Sequence, residues 1–318
     1  MTDKDSARRL HVIAYHYVRD SARSAFPGVN GVTPGEFSRQ LDYLTARFDA
    51  VDMEGALAFI NGENNPGRDL FMVTFDDGLR DHYETVFPML QEKGLLGVFS
   101  VITSGLSNAR VAPVHMSHFL LADLGFKAYQ RAFLDHLAAE YPEARTEVDH
   151  EAAKRTYQWD DAETGQLKYL INHQLDWGMR DDVLRQVFES RFGGQRDFAS
   201  TLYCTWDEIR EMQRAGMVIA AHSHNHRPLA RMGDEEQASD IEICTDHLRR
   251  ELESQPVWVF SYPHGKPDTF NERTVYLVKR AGYDCALAGT LGANDPSGDQ
   301  YRIWRHDCND IQKGRLIC

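Results

Sequence analysis

Leu70-Phe71-Met72-Val73-Thr74-Phe75-Asp76-Asp77-Gly78 is an apolar run that ends in two carboxylates and a glycine. A short apolar run closed by a turn signal reads as a buried strand, so Asp76 and Asp77 fall in the loop at its carboxyl end. The arrangement recurs along the chain. Met217 to Ala221 leads into His222-Ser223-His224-Asn225-His226, Leu10 to Tyr15 into His16, and Val257 to Tyr262 into Pro263-His264. Leu95 to Ile102 and Tyr283 to Ala288 are further strand candidates, and Gly94, Gly216 and Gly282 stand where a preceding helix needs a left-handed stop. Thr33 with Glu36, Thr205 with Glu208 and Thr269 with Glu272 have the spacing of capping boxes at helix starts. Strands alternating with helices predict a mainly parallel sheet, as a barrel or an open α/β layer. In either, the carboxyl ends of the strands form the face where ligands bind. The polar residues named above therefore converge on one site.

From about Ser104 to Ser200 this alternation lapses into charged, helical segments: Val114 to Leu124, Lys127 to Ala139 and Asp181 to Arg191. The expected organisation is a catalytic core of residues 1–103 and 201–318 with a mainly helical insertion, 104–200, serving as a lid or a subunit contact. Tyr157-Gln158-Trp159-Asp160-Asp161 and Leu175-Asp176-Trp177 can furnish an aromatic wall for a sugar ring, or simply anchor the insertion by packing.

Composition narrows the partners. The chain has 48 acidic against 35 basic residues, a net charge of -13, which repels nucleic acid phosphates and anionic lipid; no nucleic acid partner is expected. The apolar stretch Leu10 to Tyr15 is too short for a signal h-region or a membrane span, so the expectation is a cytoplasmic protein without an integral membrane segment. Cys204, Cys244, Cys285, Cys308 and Cys318 are odd in number and form no C-x-x-C pair. They predict reduced core thiols rather than a disulfide framework or a zinc ribbon.

A catalytic divalent metal takes about three protein ligands, commonly imidazole and carboxylate, and keeps a position open. His222, His226 and one of the paired aspartates make such a set. Neighbouring aspartates at a strand end point to different sides, so one can bind the metal while the other accepts a proton from water. Residues 222, 224 and 226 share a face on a strand, and spacing alone leaves His224 in contention.

Thr74-Phe75-Asp76-Asp77-Gly78 and His222-Ser223-His224-Asn225-His226 resemble, in this order, the T-F-D-D-G and H-[ST]-x-x-H motifs of the polysaccharide deacetylases, the NodB-like group of carbohydrate esterase family 4. The resemblance implies an α/β fold, a distorted (β/α) barrel, and a metal-dependent hydrolase that removes an acyl group, expected to be acetyl, from an N-acylated sugar. By resemblance Asp76 is the general base, and Asp77, His222 and His226 hold the metal, expected to be zinc, with cobalt, nickel, manganese or iron compatible with the same donors. Ser223 orients the histidine loop. Ser261-Tyr262-Pro263-His264-Gly265 looks like the family's Y-P-x-G segment, which implies an oxyanion donor near Tyr262 or Pro263; proline has no N–H, which favours Tyr262. Tyr15-His16-Tyr17-Val18 matches the branch with a Y-H-x-V first strand, making His16 the general acid, with His306 of Trp304-Arg305-His306-Asp307 as the alternative and Arg305 or Asp307 as supports.

The motifs cover the core and leave the insertion unexplained, including any part it plays in oligomer formation. The expected substrate is an intracellular N-acyl sugar, whether nucleotide-linked, lipid-linked or in a small glycoconjugate. Competing readings are a cyclic-amide hydrolase of the allantoin type, a non-catalytic sugar-binding protein, and an Fe(II) oxygenase. The oxygenase pattern would be H-x-[DE] with a distant His, not D-D followed by H-x-x-x-H.

Overall fold

A computed structural model of the chain describes residues 8–158, 161–290, 292–312 and 316. It divides into two units: Met1–Asp20, Gly31–Arg110 and Ala199–Cys318 form one, and Ser21–Asn30 with Val111–Phe198 the other. The strands of the first are β1 (Leu10–Tyr15), β2 (Asp49–Ala50), β3 (Leu70–Phe75), β4 (Gly97–Val101), β5 (Val218–Ala221), β6 (Val259–Ser261), β7 (Cys285–Thr290) and β8 (Ile303–Asp307). They pair in the order β1-β8-β7-β6-β5-β4-β3-β2, and β1 also pairs with β3. Seven strands thus close a ring, β2 flanks it, and every pairing is parallel. This is the distorted (β/α) barrel.

Period-two alternation sorts the core. Val12, Met72, Val98, Ala220, Val259 and Leu287 belong to the cluster that fills the ring; Ile13, Val73, Phe75, Phe99, Ile219 and Phe260 face outward under the helices. Two details depart from the sequence expectations. The helix expected to start at Thr269 is capped two residues later by Asn271, whose side chain accepts from the Thr274 N–H at 3.0 Å; Thr269 Oγ1 instead donates to the Lys266 carbonyl at 2.8 Å, closing the preceding turn. Strands β2, of two residues, and β8, Ile-Trp-Arg-His-Asp, have no counterpart among the strand candidates; in β8 three polar residues in five mask the periodicity. The capping boxes at Thr33 and Thr205 form as expected.

On the outward face of β1 and β8, His11 Nδ1 lies 3.1 Å from His306 Nε2. Burial pushes His306 down to about 4 and also lowers His11, which Asp69 only partly offsets. In the unfolded chain both titrate near 6.5. Above that pH both states are neutral at these positions. As the pH falls from 6.5 towards 4 the unfolded chain takes up protons that the folded one does not, so stability is lost across that window. Thermal melts should therefore show Tm dropping between pH 6.5 and 4, and His306→Gln should flatten the drop; an unchanged slope would contradict the buried-neutral pair.

The second unit is helical, with Pro113–Leu124, Phe126–Glu140 and Trp177–Phe192 as its longer helices. Phe26, Phe119, Phe188 and Phe198 meet edge to face at 4.9 Å for three of their pairs, an arrangement favoured by the ring quadrupole. Asp176 caps the helix that opens at Trp177, accepting from the Gly178 and Met179 N–H groups. The Arg180 guanidinium lies 3.8 Å over the Trp177 ring, so this tryptophan is engaged in packing. Trp159, Asp160 and Cys318 lie outside the described residues. The other four cysteines are buried free thiols, and no described helix is long and apolar enough to cross a membrane.

Candidate active site

In-register pairing of β1 with β3, ending at Tyr15 and Phe75, sets His16 beside Asp76; the Asp76 N–H continues the ladder by donating to the Tyr15 carbonyl at 2.9 Å. After Asp76 the chain turns sharply. Asp77 has φ 83° and Gly78 φ 66°, and a side chain at 78 would stand 3.1 Å from Val101 Cγ1. Ser223, His226 and His264 are also left-handed non-glycine residues, a costly conformation that collects at sites held by their surroundings.

Asp77 Oδ1 lies 3.5 Å from His222 Nε2 and 3.4 Å from His226 Nε2, and the two imidazole nitrogens are 3.2 Å apart. All three residues are buried, and among the described residues they are the one carboxylate–histidine group close enough to hold a metal. Donors at zinc bond lengths on a tetrahedron stand about 3.3–3.4 Å from one another, and the three observed separations bracket that value. The tautomer fits as well. His222 Nδ1 is 2.8 Å from the Ser261 carbonyl, which can only accept; Nδ1 therefore carries the proton, and Nε2 offers its lone pair towards Asp77 and His226. The residues present suit a divalent cation. His224 turns away, its Nδ1 at 2.9 Å from Thr103 Oγ1 and its ring parallel to that of His247.

Asp76 is bound from another side of the barrel. Arg305 Nη2 is 2.8 Å from Asp76 Oδ2, and Nη1 is 3.0 Å from Oδ1 and 3.2 Å from Thr74 Oγ1, while Nε donates to the Ala288 carbonyl at 2.7 Å. Ser261 Oγ adds a donor at 3.3 Å. Burial alone would raise the Asp76 pKa; the facing Arg305 charge, helped by His222, outweighs it and holds the carboxyl well below the usual range. Asp76 is thus ionised and sheltered, next to the donor set but turned to a different partner than Asp77.

Ser223 Oγ accepts from the His226 N–H at 2.9 Å, fixing the histidine loop. His16 is exposed at the barrel mouth. His306 is not at the mouth: alternation along β8 sends Arg305 inward to Asp76 and His306 outward to His11. Asp307 Oδ1 accepts from the backbone and side-chain nitrogens of Asn309, both at 2.8 Å, capping the next helical turn rather than reaching Asp76. The expectation for Tyr262 is overturned as well. Its N–H donates to the Leu287 carbonyl at 3.0 Å within the sheet, its hydroxyl donates to the Tyr301 carbonyl at 3.1 Å, and its buried ring stacks on Phe270, so neither of its donors is left for an oxyanion. Pro263 has none either, and the next N–H in the loop belongs to His264, whose exposed ring lies 4.8 Å from that of His226.

Two supporting residues have no role assigned by sequence: Ser261 only opens the Ser261–Gly265 segment, and Asp240 stands in no motif. Ser261 links the two halves of the site, its carbonyl on His222 and its hydroxyl on Asp76. Asp240, in the helix Asp234–Glu251 and 3% exposed, accepts from the His224 N–H at 2.8 Å and from the Asn225 N–H and Nδ2 at 3.0 Å. Removing such a support commonly weakens metal binding by about 10- to 100-fold. Asp240→Ala should do so in a calorimetric titration with Zn²⁺; an unchanged affinity would mean that the loop holds its shape without Asp240.

A family model described as Polysaccharide deacetylase matches residues 63–286. Among solved structures the chain is similar to the Streptococcus pyogenes deacetylase PplD in complex with acetate, at 15% identity and TM-score 0.58 over 97% of this chain and 98% of that one. It is similar to IcaB from Ammonifex degensii, at 18% and 0.58 over 97% of each, and to the BpsB deacetylase domain from Bordetella bronchiseptica, at 16% and 0.56 over 96% and 98%. At these identities the likeness is one of fold. No curated protein matches the sequence.

Proposed function

The chain belongs to the polysaccharide deacetylase family, and from that premise we propose that it is a metal-dependent hydrolase that removes an acetyl group from an N-acetylated sugar or glycoconjugate. The observation that carries this reading is the buried Asp77–His222–His226 donor set next to an aspartate held ionised by Arg305. Acetate in the PplD complex supports acetyl as the acyl group.

Asp77, His222 and His226 would hold the cation, which when bound polarises the amide carbonyl and lowers the pKa of water towards about 7. Asp76 takes the proton that the attacking water gives up. Arg305 keeps its carboxylate ionised and aimed, so the acceptor is ready at neutral pH. Breaking the C–N bond requires a proton on the departing nitrogen, and His16, exposed at the mouth and in register with Asp76, supplies it. Acetate and a free amine leave.

An aryl acetate needs no such proton, because its phenolate is already a good leaving group. His16→Asn should therefore lower amide turnover by about 10²-fold or more while aryl acetate turnover stays nearly unchanged. Equal losses on both substrates, or none on the amide, would remove His16 from the acid role.

A further inference from the structure

We propose that His82 is the positioning residue of this site's general acid: its imidazole N–H holds the backbone of His16 and so aims the exposed His16 ring at the departing nitrogen. The inference rests on the acid assignment just made. His82 lies in a single π-helical turn, His82–Val86, that follows the Asp76-Asp77-Gly78 bend. Such turns insert one extra residue into a helix and recur at functional sites. The side chain is fully buried, between the rings of Phe75 at 5.7 Å and Phe99 at 5.9 Å.

In this apolar slot an imidazole is an expensive choice. Its Nε2 is 2.9 Å from the His16 carbonyl, which can only accept, so Nε2 carries the proton and Nδ1 keeps a lone pair. That Nδ1 is buried with no hydrogen-bond partner, and leaving such an atom unsatisfied costs about 1–3 kcal/mol. Burial disfavours the cation and keeps the ring neutral, which leaves the single bond to His16 as its polar contribution.

That bond acts together with others that fix the chain around His16, among them the Val32 N–H to the Tyr17 carbonyl at 3.0 Å and the Arg19 N–H to the Val32 carbonyl at 2.9 Å. The preceding carbonyl, of Tyr15, accepts from the Asp76 N–H at 2.9 Å. Beyond it, Arg19 Nε is 2.6 Å from Asp81 Oδ2, both side chains being largely buried. Asp76 and Asp81 thus grip the segment before and after His16, and His82 holds the carbonyl of His16 itself, the residue whose ring stands exposed at the mouth. Asp76 and His16 are thereby referenced to one rigid element, the end of β3 and the turn that follows it.

The test compares His82→Leu, which removes the donor, with His82→Gln, whose Nε2 can reach the place of the imidazole Nε2. Metal-reconstituted full-length variants would be assayed on a chitooligosaccharide and on 4-nitrophenyl acetate, beside His16→Asn. Expected for His82→Leu is a loss of at least about tenfold in kcat on the amide, with KM, Zn²⁺ affinity and aryl acetate turnover nearly unchanged, and with recovery in His82→Gln. Parallel losses on amide and ester, no loss on the amide, or no recovery in His82→Gln would overturn the proposal. Should His82→Leu fail to fold, His82→Asn, too short to reach the carbonyl, takes its place against His82→Gln under the same criteria. Intact amide turnover in His16→Asn would sink the acid assignment and this inference together. A loss there without a loss in the His82 variants would sink this inference alone.

Discussion

Asp76→Asn is expected to bind Zn²⁺ as the parent chain does and to lose turnover of an N-acetylated sugar by about 10³-fold, within the range supplied by a positioned proton acceptor. The amide keeps the size of the carboxylate but cannot take a proton from water. The metal should remain, because the donor set is Asp77, His222 and His226, and Asp76 faces Arg305. A second consequence follows from burial. Arg305 and Asp76 are 4% and 2% exposed at their side chains, and removing one partner of such a pair leaves an uncompensated charge, typically costing about 3–5 kcal/mol. The variant should therefore melt at lower temperature and be assayed well below its Tm. Because the Asp76 carboxyl is held below its ordinary value, its ion pair contributes stability at pH above about 4, and that contribution fades as the pH falls further. Asp76→Asn should lack this acid-dependent component. Full turnover in Asp76→Asn would exclude it as the proton acceptor.

His226→Ala is expected to lose metal and activity together. One of three ligands disappears from a site whose separations match a single ion. The fall in affinity should exceed the roughly 10- to 100-fold typical of residues that only support a ligand. A ligand present at 100 times its Kd stabilises a fold by about 2.7 kcal/mol. Added Zn²⁺ should thus raise the Tm of the parent chain and of Asp76→Asn, but not that of His226→Ala. Chelation of the parent protein should reproduce the loss of activity, and re-addition of Zn²⁺ should reverse it. A Zn²⁺-dependent rise in Tm that survives in His226→Ala would place the metal elsewhere.

Much of this site was legible because parallel strands put their chemistry at one end. Asp76, Asp77, His222 and His226 each follow an apolar run, and the barrel brings those ends together. What the sequence could not convey was direction. Spacing left His224 open as a ligand, and the backbone turn at Ser223 sends it to Thr103. His306 and Arg305 are neighbours in sequence, yet strand alternation gives one to the outer packing and the other to Asp76. Tyr262 offered a plausible donor until the β6–β7 ladder took its N–H. Asp240 and His82 come from helical segments with no motif of their own, and only their contacts reveal them. The insertion lacks a comparable strand pattern, so its aromatics read first as packing anchors and second as a ligand wall, and Arg180 lying over Trp177 shows packing for that tryptophan.

The most direct measurement is acetate release by metal-reconstituted protein from N-acetylated mono- and oligosaccharides, nucleotide sugars and ureides, with Asp76→Asn run in parallel. The account predicts release from at least one N-acetylated sugar, abolished by the substitution and by chelation. Release from no N-acetylated sugar, or release that persists in Asp76→Asn, would contradict it.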